Sequence, residues 1–263
     1  MTRNARRPEP KPTSSAPPIT MAFQPIVNVN ARSVFGYEAL VRGPDQAPAA
    51  AVLSRVDDEN RDDFDRRCRE RAIELAGQLG VDGMLDINFM AEAAQHPESG
   101  AAATLEAAAA SGLSPERLIF EVTQSEKVAD AAPLKALFAE YRRHGITTAI
   151  DDFGAGRAGL GLLAELQPDL VKLDMALTRG VERDHVRRAI VASIVRLCDE
   201  LAIRVVAEGI ETPIECLALQ DEGIALFQGY LFARPAFEQL PEVADSVWPQ
   251  VARRRVADRR RPR

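Results

Sequence analysis

The 263-residue chain is 46% hydrophobic, enough to bury one large core as a single α/β barrel or to form two small domains. No apolar run approaches the length of a membrane span and the N-terminus lacks the apolar stretch of a secretory signal, so a globular, cytosolic protein is expected. The net charge of -6 is unevenly spread: residues 1–20 carry four Lys/Arg against one Asp/Glu and residues 251–263 carry seven against one, leaving 22 against 37 between them.

In chain order, residues 1–20 hold five prolines and almost no large apolar side chains, which predicts a disordered segment or linker. The folded body is expected over residues 21–245, followed by an Arg-rich tail at 246–263. Such a tail could attract nucleic acid, anionic lipid or an acidic partner, or simply be solvated. Within the body, eight short apolar or β-branched runs read as strands: 22–29, 34–41, 84–88, 118–122, 146–152, 170–174, 203–208 and 224–228. Between them, "FDRRCRERAIELAGQLG" (64–80), "PLKALFAEYRRHG" (133–145) and "HVRRAIVASIVRLCDELAI" (185–203) have apolar residues at helical spacing, and the first two end in Gly. Alternating strands and helices of this number predict a TIM-like (β/α)8 barrel. The link between the first two runs is too short for a crossover helix, so that pair is expected to be antiparallel. A doubly wound open sheet is the alternative, disfavoured because no Gly-rich dinucleotide fingerprint follows the first strand. Cys68, Cys198 and Cys216 are odd in number and lack metal-ligand spacing, which predicts buried free thiols.

Most of the runs carry a polar residue near their ends: Glu38, Asn88, Glu121, Asp151 with Asp152, Lys172, Glu208 and Gln228. A parallel barrel brings the C-terminal ends of its strands to one face, so residues spread over most of the chain would converge there. Carboxylates with an amide, and no His or Cys among them, are hard oxygen ligands suited to Mg2+ or Mn2+. In a regular strand Asp151 and Asp152 would point to opposite faces, but where the strand breaks into "FGAG" both could turn to the mouth. A shared Asp could then bridge two ions about 4 Å apart, the arrangement that activates a water against a phosphodiester, with Lys172 adding positive charge. Each residue singly also fits a helix cap, a surface charge or a salt bridge. An enolisation barrel using Mg2+ and a Lys base is the second chemistry this pattern fits.

The ordered motifs "FQPIVNV", "GYEALVRG", "DINF", "FEVT", "IDDFGAG", "VKLD", "VAEGIE" and "FQGYLFARP" resemble those of the EAL family, bacterial phosphodiesterases acting on cyclic di-GMP. The resemblance covers residues 21 to about 240. It implies that Glu38, Asn88, Glu121 and Asp151 hold one metal ion and Asp151 with Asp152 a second, both Mg2+ or Mn2+. It implies that Lys172 and Glu208 stand beside the attacking water, supported by Gln228, with direct metal contact by Glu208 left open. Arg42, Asp174 and Pro235 match positions that hold the nucleotide, and the implied product is linear 5′-pGpG. A homodimer through the surface beside the Asp-Asp loop and regulation by a separate sensory protein are further implications. Two departures stand out. Active relatives read Glu-x-Thr-Glu where this chain has "EVTQ" with Gln124, and the usual loop aromatic after the Asp pair is replaced by Arg157. Three functions therefore stay open: an active phosphodiesterase, a cyclic di-GMP receptor with little turnover, and a partner-binding regulator on a retained barrel.

Overall fold

The computed structural model describes residues 16–91, 97–123, 131–156 and 159–252. Gln124, Arg157, the first 15 residues and the last 11 lie outside the described residues.

Strands β1 (Thr20–Asn28) and β2 (Ser33–Arg42) form an antiparallel hairpin with Thr20 opposite Arg42 and Gln24 opposite Glu38. Its turn is built from the sequence: the Asn28 side chain accepts hydrogen bonds from the Asn30 and Ala31 amides, and Arg32 takes a left-handed conformation with φ 55°. Six more strands follow, each parallel to the one before: β3 (Met84–Phe89), β4 (Leu118–Thr123), β5 (Thr147–Phe153), β6 (Leu170–Leu173), β7 (Arg204–Ala207) and β8 (Leu226–Gln228). Strand β8 then pairs antiparallel with β1, which closes an eight-stranded ring in which β1 alone runs against its neighbours. A two-residue strand β9 (Ala236–Phe237) pairs with β1 at Ala22 and Phe23. The barrel and its antiparallel first pair are therefore as the strand pattern predicts.

The outer layer comprises α1 (Ala49–Leu53), α2 (Arg61–Leu79), α3 (Pro97–Ala110), α4 (Ala132–Arg143), α5 (Gly159–Leu166), α6 (Met175–Thr178), α7 (His185–Glu200) and α8 (Pro213–Asp221). Capping explains several boundaries. Helix α2 ends at Gly80 with φ 70°; Asp184 accepts from the Val186 and Arg187 amides at the start of α7; Thr212 and Glu215 form a reciprocal capping box on α8 with Pro213 in the first turn. Helix α2 also carries a buried ion pair, Asp65 with Arg69, and Asp65 accepts a hydrogen bond of 3.0 Å from the Met90 amide just beyond β3.

Alternation along the strands sorts the side chains into two cores. Outward residues such as Leu85, Ile87, Phe120, Val122, Ile150, Val171 and Ala207 join the large core between sheet and helices. Inward residues Ile26, Ile119, Ala149, Leu170, Val206 and Leu226 make an apolar layer inside the ring. Two residues further along β4, β5 and β6, and just past the end of β7, the same inward parity places Glu121, Asp151, Lys172 and Glu208 above that layer. Cys198 and Cys216 are buried and all three cysteines are free, but Cys68 is only partly buried, a correction to the expectation from composition; its thiol is still pushed up to about 12 by desolvation. No helix among the described residues is long and apolar enough to cross a membrane.

Candidate active site

Lys172 is the centre of the arrangement. Its side chain is fully buried, and its Nζ lies 2.7 Å from Glu121, 2.9 Å from Glu208, 3.2 Å from Glu38, 3.7 Å from Asp151 and 3.8 Å from Asp86. Burial alone would depress its pKa, but the surrounding carboxylates from Asp151, Glu121, Glu208 and Glu38 raise it well above the ordinary lysine value. One ammonium cannot neutralise five acids. Burial, then the charges of neighbouring acids, holds Glu121 well above the usual carboxylate range despite Lys172, and burial pushes Asp86 up to about 7. Glu208 is likewise raised well above its ordinary value, by burial first and then by Asp151 and Glu38.

Glu38 is the exception. Burial would raise it, yet Lys172 and hydrogen bonds from Gln228 Nε2 at 2.7 Å and Asn88 Nδ2 at 3.1 Å bring it below the usual value. Gln228 also donates to Gln24 Oε1 at 3.3 Å, and Gln24 donates to the Ala233 carbonyl, which links β1, β2 and β8 across the ring closure.

The Asp pair reaches the mouth by a backbone irregularity. Strand parity points Asp151 inward and would send Asp152 outward. The register of β5 against β6 shifts between Ile150 and Phe153, and Asp152 takes φ 53°. This bulge re-aims Asp152, so that oxygen atoms of Asp151, Asp152 and Glu208 all lie within 4.8 Å of one another. The break thus falls inside the strand at Asp152 itself, one residue before "FGAG". Gly154 then turns with φ 101°, where a Cβ would sit 2.2 Å from a Leu177 methyl carbon. Burial, followed by the charges of Asp151 and Asp174, raises Asp152 to about 6.

A cleft of about 270 Å3 opens over this cluster, lined by Gln24, Glu38, Asp152, Asp174, Glu208 and Gln228 among others. Of the residues read as nucleotide-holding, Asp174 lines the cleft while its Oδ1 accepts from the Ala176 amide at 2.7 Å. Arg42 and Pro235 do not line it. Arg42 stands at the end of β2 opposite Thr20, and Pro235 immediately precedes β9, both on the rim beside β1. Asn88 is exposed at the mouth in register with Glu121. Sequence reading passed over Asp86 and Gln24. Asp86 precedes Asn88 by two residues and so shares its face; the period-two rule applied to "DIN" would have found it.

The donor set is hard oxygen throughout, both Glu121 oxygens and Asp151 Oδ1 are buried without a hydrogen bond, and the acids outnumber the local positive charge. These residues fit divalent cations of the Mg2+ or Mn2+ type.

A TIM-like barrel with one antiparallel strand and an acid-ringed lysine at its mouth defines the class: the chain belongs to the EAL domain family, whose sequence profile matches residues 13–235. Among solved structures, a standalone versatile EAL protein from Vibrio cholerae O395, in its c-di-GMP bound form, is 45% identical with a TM-score of 0.84, over 87% of this chain and 97% of that one. Klebsiella pneumoniae BlrP1 in a manganese and cy-diGMP complex is 37% identical with a TM-score of 0.81, over 86% of this chain and 58% of that one. Among curated proteins, the blue light- and temperature-regulated antirepressor BluF of Escherichia coli is 33% identical over 87% of this chain. Two Pseudomonas aeruginosa proteins named cyclic di-GMP phosphodiesterases are 30% and 34% identical over 82% and 48% of this chain. The chain spans 56% of the length of BluF and 29% and 32% of the other two.

Proposed function

We propose that the protein hydrolyses cyclic di-GMP to linear 5′-pGpG with two divalent cations, Mg2+ or Mn2+. The observation that carries this is the Asp151, Asp152 and Glu208 cluster, within 4.8 Å, backed by buried Lys172 and open to a cleft of about 270 Å3. Glu38, Asn88, Glu121 and Asp151 would hold one cation, and Asp151 with Asp152 the other. Bound there, the cations supply Lewis acidity that makes water a nucleophile at neutral pH and offsets charge on the phosphoryl oxygens.

The chain's own residues do the rest. Gln228 and Asn88 fix the Glu38 carboxylate by donating to separate oxygens. Lys172 holds a proton at Nζ and adds positive charge behind the reacting phosphate. Glu208, paired with Lys172 and facing the cleft, stands where it can accept a proton from water. The Asp174 carboxylate offers an acceptor to the N–H edge of guanine, and Arg42 and Pro235 would complete the nucleotide's seat.

The relatives named for cyclic di-GMP hydrolysis and the nucleotide-bound EAL structures support this reading. Gln124 and Arg157 favour a second one, a receptor that binds cyclic di-GMP with little turnover. The similarity to an antirepressor supports a third, a barrel that acts through a protein partner, to which dimerisation and a separate sensory protein belong. Incubation with cyclic di-GMP and Mg2+ or Mn2+, followed by chromatography for pGpG, separates them. Product that disappears in Glu38→Ala supports hydrolysis; binding without product would replace it with the receptor; neither would leave the partner-binding barrel.

A further inference from the structure

Lys172 faces five carboxylates, of which Glu38, Glu121, Asp151 and Glu208 belong to the metal and water machinery read above. Cations at the mouth would compete with Lys172 for these oxygens and repel its ammonium. Asp86 differs from them. It shares with Glu121 full burial and oxygens without a hydrogen-bond partner, but it makes the longest approach of the five to Nζ, 3.8 Å from Oδ2, and has no part in the metal and water reading. Across β3 and β4 it is in register with Ile119 of the apolar inner layer and across β2 and β3 with Glu38, whereas Glu121 is level with exposed Asn88. It lines neither the cleft nor the Asp151, Asp152 and Glu208 cluster.

We propose that Asp86 is a positioning residue, the counter-ion that holds Lys172 down in the ring while the mouth carboxylates serve the cations; this rests on the metal-dependent reading. A carboxylate at the edge of an apolar layer costs stability when no cation balances the cluster. Its use is to leave Lys172 an anion that the cations do not claim. It therefore acts on metal binding through Lys172 rather than as a ligand.

The test is a double-mutant cycle read by Mn2+ binding, using electron paramagnetic resonance of the free ion, on wild type, Asp86→Asn, Lys172→Met and the double variant. Asn keeps the size of Asp and removes its charge, so packing is preserved. Asp86→Asn is expected to weaken Mn2+ binding about tenfold or more when Lys172 is present, in the range for residues that support metal ligands. In the Lys172→Met background the same change should have less than about a third of that effect on the free-energy scale. Equal losses in both backgrounds would make Asp86 a direct contributor to the metal field and overturn the assignment, as would no loss in either. A wild type that binds no Mn2+ would remove the metal-dependent reading itself. Circular dichroism in chelator checks folding of each variant, and Asp86→Ser replaces Asp86→Asn if that protein does not fold.

Discussion

Asp152 bears a conformational cost that its neighbours do not, since a non-glycine residue at φ 53° is strained by about 1 kcal/mol. Asp152→Gly should therefore be more stable than Asp152→Ala by about that amount, read from urea midpoints, although both lose the carboxylate. Asp151 is used by both proposed metal sites, so Asp151→Asn should abolish pGpG formation; activity within about twofold of wild type would contradict a bridging role. Gln124→Glu would restore the Glu-x-Thr-Glu pattern that the family resemblance ties to active members, and it should raise turnover measured as pGpG formed. At this scale the sequence was readable wherever a polar residue interrupted a strand-like run. Asp86 was readable only through the period-two spacing within "DIN", and Gln24 was not, because its place follows from β1 running backwards.

Helix α2 and the end of β3 are joined through charge, because Asp65 takes the Met90 amide and pairs with Arg69, and both side chains are nearly inaccessible. Arg69→Met would strand a buried carboxylate and should cost about 3–5 kcal/mol in denaturant unfolding, while Asp65→Asn combined with Arg69→Met should recover part of it. Glu215 makes a similar join at α8, accepting from the Gly180, Glu211 and Thr212 amides. Burial would raise its pKa, but these backbone donors hold it below the usual value. Its stabilisation is therefore present above the unfolded-state pKa and lost as pH falls through the lower folded value. Glu215→Gln should flatten the acid limb of the unfolding curve. Helix boundaries were legible from Gly80, Pro133 in the first turn of α4 and Asp184, because caps are local chemistry. The bulge in β5 was legible only as a break, since which residue it re-aims depends on pairing with β6.

For the molecule as a whole, the raised acids make a statement about metal. Asp152 at about 6 and Asp86 at about 7, with Glu121 and Glu208 also raised well above the ordinary value, each bind a proton more readily in the metal-free folded state than in the unfolded one. Their contribution is complete below the unfolded-state pKa and is lost as pH rises through the folded values. Metal-free protein should melt at progressively lower temperature from about pH 4 to beyond pH 7, and saturating Mn2+ should flatten or reverse that slope. A chelator titration followed by calorimetry at several pH values measures this directly. The closed barrel was legible because eight runs alternate with helical stretches, whereas the added strand β9 was not, since two residues carry no strand pattern of their own.

That closure sets a timetable for the nascent chain. Strand β1 emerges from the ribosome before the other strands of the barrel, yet its edge toward β8 and β9 stays open until residues 226–237 have been made. Gln24 and Gln228, 204 positions apart, meet last, and with them Glu38 gains one of its two amide donors. Contacts of such separation slow folding and leave an exposed strand edge in the interim. Completion of the site therefore waits on β8, so a ribosome-stalled fragment ending before β8 would lack the Gln228 donor that holds Glu38.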